Sequence, residues 1–189
     1  HLEIAGFGTC SSAVTVEEGE MPTIYLDSGE CPGPLISGYR YVLTEDIVGD
    51  AITCISVIYG DNIIFDGNGH KIVQTDGEET WEGVVGTAFS VYESSNIKIM
   101  NTRFENFNLG IWLVGNTNSE VYNNQIHNSK YGIYLASSGE VDCNGVSILK
   151  NTLTSTLLQG GASELQAPAG IYAVSCSDVD MKLNEVSDT

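Results

Sequence analysis

Gly110-Ile111-Trp112-Leu113, Gly132-Ile133-Tyr134-Leu135 and Gly170-Ile171-Tyr172-Ala173 are one phrase written three times. The first two copies stand 22 residues apart, and the alignment between them runs without a gap. Phe89 falls on Ile111, Val91 on Leu113, Asn96 on Asn118, Ile99 on Val121, Asn101 on Asn123, Phe104 on Ile126 and Asn106 on Asn128. A third copy carries Ile148, Asn151 and Leu153 after a small insertion around residues 142–145, and a fourth carries Val179, Met181, Asn184 and Val186. An earlier, less regular turn reads Asn62-Ile63-Ile64-Phe65-Asp66-Gly67-Asn68-Gly69-His70-Lys71-Ile72. Self-similarity at a fixed short period marks a repeat architecture. The phrases are short and β-rich with no helical spacing, so each repeat reads as one coil of a β-solenoid. Leucine-rich repeats share the length, but their LxxLxLxxN consensus is absent. Three short strands per coil bury their inward residues and pair with the coils above and below, each rung adding about 4.8 Å. Recurrent Gly is expected at corners with positive φ, and recurrent Asn at corners and in a stacked amide ladder. Asn124 and Asn151, each shortly before an inward apolar residue, are the ladder candidates; independent turn residues are the alternative.

The chain outside the repeats differs in composition. None of its fourteen Asn residues precedes Asn62, while three of its four prolines, Pro22, Pro32 and Pro34, do. Residues 1–38 read as an N-terminal arm or cap with short strands such as Thr23-Ile24-Tyr25-Leu26, and residues 39–189 as the solenoid. At 189 residues and 42% hydrophobic, the chain is long enough for one domain with a core. Seven Lys+Arg against 25 Asp+Glu leave a formal charge of -18. Such a surface repels phosphate backbones and anionic headgroups, which argues against nucleic-acid and membrane-surface partners. No segment approaches the roughly 18 apolar residues a membrane helix needs.

The sequence begins at His1, so either a leader has been removed or it starts internally. Cysteines at 10, 31, 54, 143 and 176 form no CxxC or Cys/His cluster, so metal-finger spacing is absent. Scattered cysteines in an acidic, Tyr-rich chain fit a secreted protein with disulfides. The best pairing is Cys31 with Cys54 and Cys143 with Cys176; buried thiols are the alternative. Cys10 is left over as a candidate for an intermolecular bond. No Asn stands in an Asn-x-Ser/Thr acceptor.

With these residues in hand, the chain resembles the right-handed parallel β-helix proteins of the pectate-lyase-like superfamily. The run Tyr41-Val42-Leu43-Thr44-Glu45-Asp46-Ile47, then Cys54-Ile55-Ser56-Val57, then the Asn62 to Ile72 turn, resembles the opening coil of secreted archaeal surface-layer and sheath-type β-helix proteins. In that resemblance Cys31 and Cys54 are the flanking cysteines. It implies an all-β, right-handed parallel β-helix over about residues 39–189. It says less about function, since such repeats serve lyases, hydrolases, adhesins and surface layers.

Lyases on this fold use carboxylate-held calcium and an Arg or Lys base, and hydrolases use clustered aspartates. Here only Arg40 and Arg103 exist, and Arg103 matches Gln125 and Thr152 in neighbouring repeats, which makes it an outward residue. Asp178, Asp180 and Asp188 fall on the last coil without partners on the coil before. Asp66-Gly67-Asn68-Gly69-His70 reads as a turn, and His1, His70 and His127 form no site by spacing. Asp76, Glu78, Glu79 and Glu82 share a Gly-rich excursion that could take calcium, but no fixed calcium pattern supports it and a solvated loop is the better reading. Trp112, Tyr134 and Tyr172 align as an aromatic stripe, either a stack between coils or, if Ile111, Ile133 and Ile171 point inward, an outward contact surface.

Residues 182–189 stop inside a coil, which leaves the expectation that the chain continues or that a second molecule covers an open edge. The sequence thus predicts a secreted, non-enzymatic structural protein without a cofactor, whose partner is itself and which stacks into a surface layer, sheath or filament. An extracellular polysaccharide-binding or polysaccharide-cleaving β-helix is the alternative, and an adhesin with a protein partner a third reading.

Overall fold

A computed structural model describes residues 14–15, 20–27, 29–50, 52–75, 86–154 and 169–187. Three long sheets run along one axis, and Cys143–Asn144 with Cys176–Ser177 form a fourth of two parallel strands at a corner. The first contains Thr23–Leu26, Arg40–Leu43, Asp61–Asp66, Ser95–Met100, Glu120–Tyr122, Ser147–Leu149 and Asp180–Lys182, with Val14–Thr15 added antiparallel at one edge. The second contains Gly33–Pro34, Thr53–Ile58, Thr87–Tyr92, Leu109–Val114, Tyr131–Ala136 and Ala169–Val174. The third contains Ile47–Gly49, Lys71–Gln74, Arg103–Glu105, Gln125–His127, Thr152–Thr154 and Glu185–Ser187. Every coil visits the second, first and third sheets in turn, and all pairing between coils is parallel. This is a parallel β-helix. Thr23–Leu26 and Gly33–Pro34, within the stretch the sequence assigns to an arm, are the first parallel strands of their sheets.

The repeat period becomes the register. Phe89 pairs with Ile111, Ile99 with Val121 and Phe104 with Ile126. Because like positions stack, the core consists of columns: Ile55, Phe89, Ile111 and Ile133 in one, Ile72, Phe104, Ile126 and Leu153 in another, almost all of them sealed from solvent. Continuous apolar columns of this kind bury each coil only against its neighbours.

The corners are made mainly by asparagine. Asn62, Asn96 and Asn118 occupy one corner column with φ of 54°, 54° and 50°, followed by Gly145 and Asp178 in the same left-handed conformation. Asn101 and Asn123 occupy a second corner with φ of 54° and 52°, and Asn106 and Asn128 a third. Asn tolerates the left-handed region better than other side chains because its short amide bonds locally. Glycine serves at corners too, as Gly115 and Gly145 do with φ of 62° and 66°, but the glycine of the repeated phrase has another role. In the repeated phrase Gly110, Gly132 and Gly170 lie inside strands and lack positive φ. A Cβ on Gly132 would sit 2.2 Å from Leu153 Cδ2 and 2.6 Å from the Gly170 carbonyl, so the phrase needs glycine for space. Gly132→Ala is expected to destabilise the chain by about 1–3 kcal/mol, the usual range for overpacking. Urea unfolding checks this, and an unchanged midpoint would show that the coil relaxes freely around the methyl.

Candidate functional site

Two disulfides join the described coils. Cys31 bonds Cys54, and Cys143 bonds Cys176, its register partner on the next coil. The sequence separations of 23 and 33 residues place the stabilisation of each at about 3.5 kcal/mol on chain-entropy grounds. Such bonds persist in oxidising surroundings. Cys10 lies outside the described residues.

The corner between the first and third sheets holds an amide ladder. Asn124 Nδ2 donates to Ile99 O at 3.0 Å and to Asn151 Oδ1 at 3.1 Å. Asn151 Nδ2 donates to Val121 O at 2.9 Å and to Asn184 Oδ1 at 3.1 Å. Asn184 Nδ2 donates to Ile148 O at 2.7 Å. The ladder oxygens also accept the backbone N–H groups of the coil before, from Thr102, Asn124 and Asn151. Asn124 and Asn151 are buried with these demands met, which is what permits a polar column inside an apolar solenoid. Asn184 extends the row beyond the two residues singled out in the sequence; its place in the fourth copy was the available signal. Asn151→Leu keeps the volume but orphans the Asn124 N–H and the Val121 carbonyl. It is expected to cost about 3 kcal/mol, whereas Asn123→Ala on the exposed corner costs about 1 kcal/mol or less. Denaturant midpoints of the two variants compare them directly.

A second amide row runs outside. Asn123 Nδ2 donates to Asn101 Oδ1 at 2.8 Å, and Asn101 Nδ2 to Asp66 Oδ1 at 3.0 Å. Arg40 closes the row on Asp66 Oδ2 at 2.7 Å. Burial pushes the Asp66 carboxyl upward, but the hydrogen bonds from Asn101, the Asn68 N–H and Arg40 outweigh it and hold it below the ordinary value. A depressed folded value means that stabilisation is present above the unfolded carboxylate range, about pH 4, and is lost as pH falls through the folded value. Asp66→Asn is therefore expected to flatten the fall in thermal stability between about pH 4 and pH 2. A melting series across that range tests it, and an identical acid limb in the variant would contradict it.

The candidate catalytic groups are dispersed. Arg103 pairs with Gln125 in register, points outward and forms an ion pair with Glu105. Asp178 stands at a left-handed corner, and Asp180 pairs with Lys182 at 2.7 Å. His70 Nδ1 lies 3.2 Å from Asp46 Oδ1 and His127 Nδ1 2.8 Å from Thr154 Oγ1, on separate coils. Asp76, Glu78, Glu79, Glu82, Asp188 and His1 lie outside the described residues. Among the described residues no group of three or more His, Cys, Asp or Glu converges as a metal site, and no helix is long and apolar enough to cross a membrane.

The aromatic stripe lies on the outer face of the second sheet. Ile111 and Ile133 are fully buried, and alternation turns Trp112 and Tyr172 outward with 36% and 43% exposure. Trp112, Tyr134 and Tyr172 are successive register partners. The rings of Tyr134 and Tyr172 stack at 5.1 Å between centroids, and Tyr131 meets Tyr134 edge-on at 5.8 Å. Lys130 Nζ lies 5.4 Å from the Tyr131 ring.

Residues 63–189 match the family described as the right handed beta helix region. The chain belongs to that family, and its solenoid is a right-handed parallel β-helix. No curated protein and no solved structure matches it.

Proposed function

We propose that the chain is an extracellular structural protein that associates with copies of itself as part of a surface layer, sheath or filament. The observation that carries this is how the coils are tied together. Cys31 with Cys54 and Cys143 with Cys176 join coils covalently, and the amides of Asn124, Asn151 and Asn184 join them through the interior. The two disulfides hold the coils in register and fit an oxidising setting outside the cell. Arg103 and Asp180, which a polysaccharide-cleaving site would call on, are engaged in ion pairs of their own with Glu105 and Lys182.

Electron microscopy of the native material beside a non-reducing gel tests the reading. Multimers are expected, and reduction of the two disulfides is expected to lower the melting temperature of the chain by several degrees. Monomers at every concentration would sink the proposal. Cleavage or retention of a polysaccharide by those monomers would transfer the assignment to the carbohydrate alternative.

A further inference from the structure

The second sheet is unlike the other two in one respect: none of its six strands contains Asp, Glu, Lys or Arg. The first sheet carries Arg40, Lys98 and Glu120 in its strands, and the third carries Lys71, Arg103 and Glu185. In a chain of formal charge -18, a whole charge-free sheet is a marked exclusion. Its outer rows are instead Ser56, Ser90, Trp112, Tyr134 and Tyr172 in one line, and Ile58, Tyr92, the buried Val114, Ala136 and Val174 beside it. Ile58 and Val174 stand exposed along with Trp112 and Tyr172.

We infer that this face packs laterally against the same face of a second copy of the chain. Three arguments select that occupant. Two polyanions repel wherever their charged surfaces meet, so close approach of identical copies requires a face without charge. Depletion of charge with enrichment of Tyr and Trp is the composition of interface centres. Five six-residue strands at about 4.8 Å spacing and about 3.3 Å per residue make a face of roughly 500 Å². Two copies then bury roughly 1,000 Å², the lower bound for a specific contact. A sugar fits less well. Stacking on a sugar ring needs the flat of an aromatic ring turned outward, and Tyr134 and Tyr172 turn theirs toward each other. The contact is isologous, the same rows meeting across a twofold axis, as sheets do when they stack about 10 Å apart.

This contact deepens the proposed self-association and rests on that reading; multimers that persist in variants of the face overturn the lateral contact alone. Sedimentation of the full chain across concentration and salt is the test. The lateral pair is expected to tighten as salt rises from about 0.02 M to about 0.5 M, because salt screens the repulsion between copies while an apolar contact is spared. Trp112→Glu with Tyr134→Glu is expected to weaken it by tenfold or more, as like charges meet across the twofold axis. Ser90→Glu places a charge on the same row and serves where the double variant fails to fold. Face variants that associate as wild type does, or association that weakens with salt, would overturn the inference. So would a monomer whose tryptophan fluorescence responds to a neutral glucan in the wild type but not in Trp112→Phe, since that assigns the face to sugar.

Discussion

Each coil must place every residue directly over its counterpart in the next, at one strand spacing, because the backbone hydrogen bonds run between coils. A polar group that enters the interior at one rung therefore meets the same position at the next, and it has to find its partner there. The corner before the third sheet meets this demand with Thr102, Asn124, Asn151 and Asn184 in succession. An amide carries both donor and acceptor, so a column of amides can satisfy itself along the axis indefinitely. A serine or threonine hydroxyl does the same job only by turning back on its own coil, as Thr102 Oγ1 does on Met100 O at 2.9 Å. The left-handed Asn next to each ladder position sets the turn that aims the ladder inward. Where that residue is Lys150 or Leu183, the turn persists at φ of 57° and 58°. The conformation costs roughly 1 kcal/mol there, and the ladder and pairing hold it.

The same stacking rule explains what could be read from the sequence. In-register parallel coils turn a contact between rungs into a fixed sequence offset, so Phe89 over Ile111 and Asn124 near Asn151 were legible as spacing. The reason for the phrase's glycine was not. Gly132 is required by Leu153, which arrives from a different sheet of the same coil, and no local pattern announces that approach. The Arg40–Asp66 closure was equally hidden, since it joins the irregular first turn to a row that only later coils make regular. The charge-free face could not be seen until the strands had been assigned to sheets. Its residues are scattered through the chain at intervals, between strands of the other two sheets that do carry charge.

Disulfide placement follows the same geometry. Cys143 and Cys176 are register partners, so their bond ties vertical neighbours and shifts neither coil. The separation of 33 residues between the two cysteines makes this the longer of the two disulfide-closed segments. Ser94 and Asn116 precede this pair at the corresponding corner, where Ser94 Oγ donates to Tyr92 O and Asn116 Nδ2 to Val91 O and Val114 O, while the buried Asn116 Oδ1 has no partner. The disulfide, with no polar atom to satisfy, removes that cost from the corner on the coils that carry it.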